Sequence, residues 1–344
     1  MQYDTDLLVP PRVVGQALCE ATGDDRWKQF TTQLITGGKS NLTFRLTGPA
    51  GSLVLRRPPT GSLLPSAHDM GREARIQASL ATTAVPVAPI IASDPDGSLF
   101  GTPFYVMGDI PGHVITDVRP VEYNGVEAPT RMTDALIDTL VALHNVDPEA
   151  VGLSGFGRPS GFMVRQLERW HSQWERSRTV DIQDVDRLAS RLADRVPSTQ
   201  RETVVHGDYR VDNCIFAPTD PGRIAAVLDW ELATLGDPLA DFGMLLFYWR
   251  HADEPAPVVT PAISRTSGFP RRDHLVERYV RDTGSHPDQL AFYEAFAHYK
   301  FAVITQGIAA RVAVGAMAGQ DFGDLEPEVA RIAANGLNLM NQKD

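Results

Sequence analysis

Three side chains suited to metal-assisted chemistry follow two short apolar runs near the middle of this 344-residue chain. Asp208 and Asn213 come soon after the run Thr203–Val205, and Asp229 directly follows the run Ile224–Leu228. Short β-branched runs bounded by Gly, Pro and Asp predict strands. Polar side chains at strand ends are expected at the rim of a sheet, where functional sites are common.

The chemistry that these residue types favour is phosphoryl transfer. Such a reaction needs a carboxylate that orients and deprotonates an attacking hydroxyl, together with oxygen ligands for Mg²⁺ beside a triphosphate. Asp208 has the position of the base. Asn213, five residues later, supplies a neutral amide oxygen and Asp229 supplies an anionic oxygen. Hard oxygen ligands of this kind are the ones that Mg²⁺ prefers.

The motif H-G-D-x4-N, from His206 to Asn213, is followed by an apolar strand and the D-W-E of Asp229–Glu231. This combination resembles the aminoglycoside phosphotransferase and choline kinase group, distant relatives of protein kinases. The string Leu64–His68 is similar to a branch that includes the kinase-like domain of certain acyl-CoA dehydrogenase family proteins. The resemblance implies an α+β, two-lobed protein-kinase-like fold with a small β-rich N-terminal lobe and a larger, mainly helical C-terminal lobe.

The elements predicted along the chain fit that organisation. We expect a nucleotide-binding lobe at 1–107, a hinge at 108–112 and a catalytic and substrate-binding lobe at 113–344. Asp69–Leu80 predicts the helix of the first lobe, with Asp69 as its N-cap. Pro287–Gly315 predicts a long helical stretch that is broken around Gly307. The strands expected in the first lobe are Gln33–Thr36, Leu42–Leu46, Ser52–Arg56, Ile90–Ser93 and Pro103–Met107.

The resemblance assigns phosphate-binding roles to Arg56 and Glu73. A protein kinase carries lysine at the end of the corresponding strand, whereas this chain has Arg56, which is a larger and planar group. Glu73 matches the helix glutamate that pairs with that lysine. An ordinary surface position for Arg56, and a solvated one for Glu73, remain the alternatives.

Further nucleotide contacts are expected at two other places. Gly38 and Ser40 lie in the turn Gly37–Asn41, whose backbone amides could cover a triphosphate because glycine lets the chain approach closely. A plain hairpin is the alternative for this turn. Met107 and Ile110, beside the predicted hinge, are the candidate contacts to adenine.

Other residues are predicted to support the site or to bind the acceptor. His206 is interpreted as an organiser of the catalytic loop. Asp241 spells D-F-G with its neighbours, but it opens a run that predicts a helix, so we expect it to brace the loop. The helices after the catalytic segment form the acceptor pocket in related phosphotransferases, which makes Tyr293, Lys300 and Arg311 candidate substrate residues.

Composition excludes some classes of protein. The net charge of −11 argues against a general nucleic-acid or anionic-membrane binder, since both need a basic surface. Two cysteines do not make a disulfide framework in a chain of this length. The sequence shows no signal peptide and no apolar run of the roughly 18–20 residues that a membrane span needs. We therefore expect a cytoplasmic protein, with its oligomeric state left open.

Together these features predict an ATP- and Mg²⁺-dependent phosphotransferase that moves the γ-phosphate to a hydroxyl of a small molecule. The acceptor could be aminoglycoside-like or of a hydroxyacyl type. The cationic residues Lys300 and Arg311 would suit an anionic acceptor. A nucleotide-binding module without turnover is the alternative, because Arg56 replaces the usual lysine.

Overall fold

The computed structural model describes residues 4–35, 41–60, 69–199, 201–255, 258–315 and 322–341. Its internal contacts divide the chain into two units. The first consists of Met1–Gly112 with Ala225–Ala233, and the second of His113–Ile224 with Thr234–Asp344. The sequence predicts Ala225–Ala233 in the second lobe, whereas the contacts group this segment with the first unit. A smaller β-rich part and a larger helical part confirm the predicted α+β class.

The first unit is built on a five-stranded antiparallel sheet. Its strands follow the order β1-β2-β3-β5-β4. The elements are α1 (Thr5–Leu8), α2 (Pro11–Thr22), β1 (Thr31–Leu34), β2 (Leu42–Gly48), β3 (Gly51–Arg57), α3 (Met70–Leu80), β4 (Ile90–Asp94) and β5 (Phe104–Gly108).

The two faces of this sheet pack against different helices. On β3, Leu53 and Leu55 belong to an apolar cluster with residues of α2, while Val54 packs with Met70 and Ala74 of α3. Side chains alternate between faces along a strand. Arg56 therefore shares the face of Val54, the face covered by α3.

Helix α3 begins where its cap residue predicts. The Asp69 carboxylate accepts a hydrogen bond of 2.9 Å from the Arg72 backbone N–H, which satisfies one of the free donors of the first turn. The predicted N-cap is confirmed. Glu73 lies in the first turn of α3 and is buried there.

The second unit is mainly helical. Strand β6 pairs antiparallel with β8, and β10 pairs antiparallel with β7. The elements from here to the C-terminal end are β6 (His113–Val114), α4 (Ala128–His144), α5 (Phe162–Ser177), α6 (Gln183–Asp194), β7 (Thr203–Val205), β8 (Cys214–Phe216), β9 (Ile224–Val227), β10 (Thr234–Gly236), α7 (Pro238–Tyr248), α8 (Arg272–Thr283), α9 (Leu290–Ala313) and α10 (Glu326–Asn341). Strand β9 leads along the chain from the second unit into the segment that belongs to the first.

Helix α9 is continuous, so the predicted break around Gly307 is wrong. Glycine inside a helix costs about 1 kcal/mol relative to alanine, which packing can outweigh. The neighbouring Gln306 is buried and donates hydrogen bonds to Ser177 O and Thr179 Oγ1, at 3.1 and 2.8 Å. These contacts hold the helix where the glycine would weaken it. No helix among the described residues is both long enough and apolar enough to cross a membrane.

Candidate active site

Arg56 is the centre of a charged cluster within the first unit. Its Nε lies 3.0 Å from Glu73 Oε2, and its Nη2 lies 2.5 Å from Asp229 Oδ1 and 3.8 Å from Glu231 Oε2. Its side chain is only 13% exposed, so this is not an ordinary surface arginine. Although burial opposes the charge, the surrounding acidic groups raise the pKa of Arg56 above its ordinary value. One guanidinium thus meets three carboxylates, and we call these four residues the Arg56 cluster.

Neutral hydrogen-bond donors hold Glu73 in the cluster. The Tyr105 hydroxyl donates to Glu73 Oε2 at 3.0 Å, and Asn41 Nδ2 donates to Glu73 Oε1 at 3.1 Å. Burial raises the pKa of Glu73 to about 7, although Arg56 and the Tyr105 hydroxyl act in the opposite direction. Neither donor is predicted from the sequence. Strand pairing was the available signal for Tyr105, because it lies opposite Arg56 in the β3–β5 ladder.

Asp229 reaches Arg56 through an uncommon backbone conformation. Among the described non-glycine residues, it alone has a positive φ, with φ 63° and ψ 61°. Such left-handed conformations are costly for most side chains and concentrate at functional sites. The next residue, Trp230, is buried and donates from its indole to Val227 O at 3.1 Å. This anchor fixes the chain directly after the turn that orients the Asp229 carboxylate.

Asp208 is the centre of a second cluster, within the second unit. It lies in the segment 206–213 between β7 and β8, which we call the catalytic loop, and its side chain is 24% exposed. Its Oδ1 accepts a hydrogen bond of 2.8 Å from the Tyr248 hydroxyl. Its Oδ2 accepts one of 3.2 Å from Asn213 Nδ2 and lies 3.3 Å from Arg210 Nε. Asn213 Nδ2 also donates to the backbone oxygen of Asp208 at 2.7 Å.

The surroundings of Asp208 favour its ionised form. Burial would raise the pKa of its carboxyl, but the positive charges of Arg210 and Lys300 and the bond from Tyr248 lower it below the ordinary value. A base must be unprotonated at the working pH. Asp208 is therefore in the ionised form that a general base needs. Its partners Tyr248 and Arg210 are not predicted from the sequence.

Asp241 holds the backbone at the start of the catalytic loop. This buried carboxylate accepts backbone hydrogen bonds from His206 at 2.5 Å and from Gly207 at 2.8 Å. His206 in turn accepts a bond of 3.2 Å from the Asp208 backbone N–H through its Nδ1. His144, buried beneath, is 3.4 Å from Asp241 and 2.7 Å from the Tyr279 hydroxyl, which are structural contacts. Two carboxylate oxygens thus fix two consecutive residues of the loop.

The three residues predicted to bind the acceptor do not form one surface. Lys300 is 8% exposed and donates to the backbone oxygen of Gly207 at 2.6 Å. Tyr293 is fully buried and donates to Asp237 Oδ2, in the N-cap residue of α7, at 2.6 Å. Arg311 is exposed in the last turn of α9. Lys300 and Tyr293 are therefore engaged with protein groups, and their contact with an acceptor stays a prediction.

A cleft in the second unit borders the partners of Asp208. It includes Tyr248, Arg210 and Asp212 in its wall. Arg210 and Asp212 form an ion pair of 3.0 Å. We call this space the Tyr248 cleft. Its complete lining is Ile115, Thr116, Arg210, Val211, Asp212, Leu245, Tyr248, Trp249, Pro261, Ala262, Ile263 and Ser264.

The remaining predicted nucleotide contacts have different outcomes. Gly38 and Ser40 lie outside the described residues, as does the string Leu64–His68. Met107 lies on β5 and packs in the apolar cluster beneath α3, with Ile110 partly buried against the same cluster. Both belong to the first unit together with the Arg56 cluster.

The predicted Mg²⁺ ligands, Asn213 and Asp229, each carry an oxygen of the kind that Mg²⁺ prefers. Among the described residues, no group of three or more His, Cys, Asp or Glu side chains is arranged to hold a metal by itself. Asn213 uses its Nδ2 toward Asp208, so its amide oxygen is the atom that a metal would contact. Asp229 supplies a carboxylate that is 33% exposed. Mg²⁺ is commonly bound through one or two such oxygen groups plus phosphates.

Comparison with known proteins identifies the class. The chain belongs to the phosphotransferase enzyme family, whose model matches residues 31–293. A candidate aminoglycoside phosphotransferase from Ralstonia eutropha, solved by crystallography, is 31% identical with a TM-score of 0.82, and the match covers 99% of both chains. The predicted membership and the kinase-like fold are therefore confirmed.

A curated relative connects the chain with larger proteins. It is 36% identical over 304 residues to acyl-CoA dehydrogenase family member 10 of Mus musculus, a match that covers 86% of this chain and 28% of that protein. The chain spans at most about two fifths of the length of the first curated relatives that it matches.

A more distant structure shares the fold. A thermostable mutant of aminoglycoside phosphotransferase APH(4)-Ia, solved in a ternary complex with AMP-PNP and hygromycin B, has a TM-score of 0.61 at 15% identity. That match covers 95% of this chain and 97% of the other.

Proposed function

We propose that this protein is an ATP- and Mg²⁺-dependent phosphotransferase that moves the γ-phosphate of ATP to a hydroxyl of a small molecule. The observation that carries this proposal is the catalytic loop around Asp208. Its carboxylate is partly accessible, is held by three neighbouring side chains and has a lowered pKa. Membership of the phosphotransferase family supports the same reaction class. The proposal includes a cytoplasmic location, as the sequence features favour.

In this mechanism Asp208 accepts a hydrogen bond from the acceptor hydroxyl and takes its proton as the new P–O bond forms. The bond between the γ-phosphorus and the β,γ-bridging oxygen breaks in the same transfer, and ADP leaves with that oxygen. A bound Mg²⁺ would neutralise charge on the transferring phosphates, and the oxygen groups of Asn213 and Asp229 would hold it. Arg56, positioned by Glu73, would contact phosphate oxygens. The backbone around Gly38 and Ser40 would cover the triphosphate, and Met107 and Ile110 would lie against adenine.

The Tyr248 cleft favours a hydroxyacyl-type acceptor over an aminoglycoside. Its wall is mainly apolar, and the acidic group in it, Asp212, is already paired with Arg210 at 3.0 Å. A polycationic sugar needs several carboxylates to offset its charge, whereas an acyl chain is stabilised by apolar surface. The proposal of an acyl-type acceptor therefore rests on this cleft and not on Lys300 and Arg311.

One observation favours a second candidate, a nucleotide-binding module without turnover. Asp229, the proposed anionic ligand of Mg²⁺, already forms a 2.5 Å ion pair with Arg56. If that pair persisted with nucleotide bound, the guanidinium would compete with the metal for the Asp229 carboxylate. Such a protein would bind nucleotide but would transfer no phosphate.

The deciding experiment measures ADP release from magnesium-ATP with a panel of aminoglycosides, choline-like amines, hydroxy acids and hydroxyacyl-CoA compounds. We expect turnover with one acyl-type class and a fall in kcat of roughly 10²- to 10⁴-fold in Asp208→Asn, since that is the usual contribution of a general base. Binding of magnesium-AMP-PNP should survive in the variant. Nucleotide binding without transfer to any acceptor would support the binding module, and failure to bind nucleotide would refute both candidates.

A further inference from the structure

Helix α7 holds the catalytic loop at two points. Near its start, Asp241 accepts the backbone N–H groups of His206 and Gly207. At its last residue, Tyr248 donates to Asp208 Oδ1 at 2.8 Å. These two residues are seven positions apart, about two helical turns, so they lie on one face with a separation of about 10 Å along the axis. A single helix face therefore fixes both the backbone and the reactive side chain of the loop.

We propose that Tyr248 is a positioning residue that sets the orientation of the Asp208 carboxylate, an inference that rests on the proposed phosphotransferase function. A carboxylate rotates readily about its terminal bond, because that torsion has broad minima. Asn213 Nδ2 and Arg210 Nε approach one oxygen of Asp208, and the Tyr248 hydroxyl binds the other. Contacts at both oxygens fix the plane of the group and thus the direction from which it receives the acceptor proton.

Tyr248 is itself firmly placed. The Arg210 guanidinium carbon lies 5.2 Å from the centre of its ring, within the range of a cation–π contact. The ring of Phe301, on α9, packs edge-on against it at 5.7 Å. Tyr248 also borders the cleft that would hold the acceptor. Its ring therefore provides the support, and its hydroxyl provides the contact that orients the carboxylate.

The hydroxyl acts as a donor and not as a second base. Burial, reinforced by the negative charge of Asp208, raises the pKa of Tyr248 well above its ordinary value. The phenol consequently keeps its proton at neutral pH, as the bond to a carboxylate oxygen requires.

Tyr248→Phe tests this inference because it removes the hydroxyl and keeps the ring on Arg210. The matched control is Tyr123→Phe, in the same unit, where a buried hydroxyl donates to the backbone oxygen of Ala217. The first measurement is the ¹³C chemical shift of the Asp208 side-chain carboxyl at one neutral pH, with the resonance assigned by its loss in Asp208→Asn. We expect it to move in Tyr248→Phe and to stay in Tyr123→Phe. An unchanged shift in Tyr248→Phe would overturn the proposal.

The second measurement is steady-state kinetics with whichever acceptor of the panel the wild-type protein phosphorylates. We expect kcat to fall about tenfold in Tyr248→Phe with the KM for magnesium-ATP unchanged, since small misplacements of catalytic groups slow the chemical step. A merely structural hydroxyl would lower the melting temperature in both variants and leave kcat intact, which would also refute the role. If the wild type phosphorylates no acceptor, the proposed function fails, while the chemical shift still decides whether Tyr248 orients Asp208.

Discussion

The Arg56 cluster and the catalytic loop differ in the sign of the charge at their centre. In the first, one guanidinium is surrounded by three carboxylates, and burial raises the pKa of Glu73 to about 7. In the second, one carboxylate is surrounded by donors and cations, and its pKa is lowered. The cations and donors around Asp208 therefore offset its negative charge. In the Arg56 cluster, three carboxylates share one positive charge. Under the proposed function, a divalent cation would offset the negative charge of that cluster, so we expect the first cluster to respond more strongly to pH and to nucleotide.

The largest effect expected from this comparison is a pH-dependent stability contributed by Glu73. Its pKa is raised in the folded protein, so its stabilising effect is present below the ordinary value of 4.5 and is lost as the pH rises through about 7. Relative to Glu73→Gln, the wild type should lose about 2–3 kcal/mol of unfolding free energy between about pH 5 and pH 8, because one pKa unit corresponds to about 1.4 kcal/mol. Urea unfolding of both proteins across this range measures the difference. A difference that stays constant with pH would show that Arg56 keeps Glu73 ionised throughout.

A smaller effect is expected when Arg56 is changed to the residue that kinases use. The guanidinium reaches Glu73 through Nε and Asp229 through Nη2, at 3.0 and 2.5 Å. A lysine has one nitrogen and cannot reproduce this fork. Arg56→Lys should weaken the binding of magnesium-AMP-PNP about tenfold, or about 1.4 kcal/mol, by titration calorimetry.

The neighbouring arginine supplies the control for that measurement. Arg57 is buried on the other face of β3 and donates to Leu8 O at 2.6 Å. Arg57→Lys should lower stability without changing nucleotide affinity. Tighter nucleotide binding by Arg56→Lys would instead mean that lysine is the better phosphate ligand, and the role assigned to the guanidinium would be wrong.

Local patterns in the sequence predicted much of the first unit. The strand predicted at Ser52–Arg56 is part of β3, and Asp69 is the N-cap of α3 as predicted. Strand ends also distinguished Asp229 from Asp241, since the first follows β9 and the second is buried in the first turn of α7. These features depend on residues close in sequence, which a single chain displays directly.

Three of the missed residues depend on contacts between distant parts of the chain. Tyr105 and Asn41 each lie 32 positions from Glu73, and Tyr248 lies 40 positions from Asp208. Polar residues at such separations have no local pattern that marks them as partners. For Tyr248, the available signal was its spacing of seven from Asp241, because that spacing predicts a shared helix face once Asp241 is taken as the brace.

The smallest predicted effects concern the stability contributed by two cations of α9, one buried and one exposed. This helix is apolar around most of its circumference, which indicates a buried helix whose polar groups need protein partners. Lys300 has such a partner in Gly207 O and also lies 5.5 Å from the Trp170 ring, whereas Arg311 is exposed. Lys300→Met should cost about 1 kcal/mol of stability, the usual net value of one hydrogen bond, and Arg311→Ala should stay within about 0.5 kcal/mol. Thermal unfolding measures both.

Kinetics distinguishes this structural role of Lys300 from binding of an anionic acceptor. A residue that supports the loop should change kcat by a similar factor for every acceptor, because it acts through the position of Asp208. A residue that binds a carboxylate or phosphate of the substrate should raise KM for anionic acceptors and spare neutral ones. A selective rise in KM in Lys300→Met would support the substrate role predicted for it. A uniform change would place Lys300 with Asp241 among the supports of the catalytic loop.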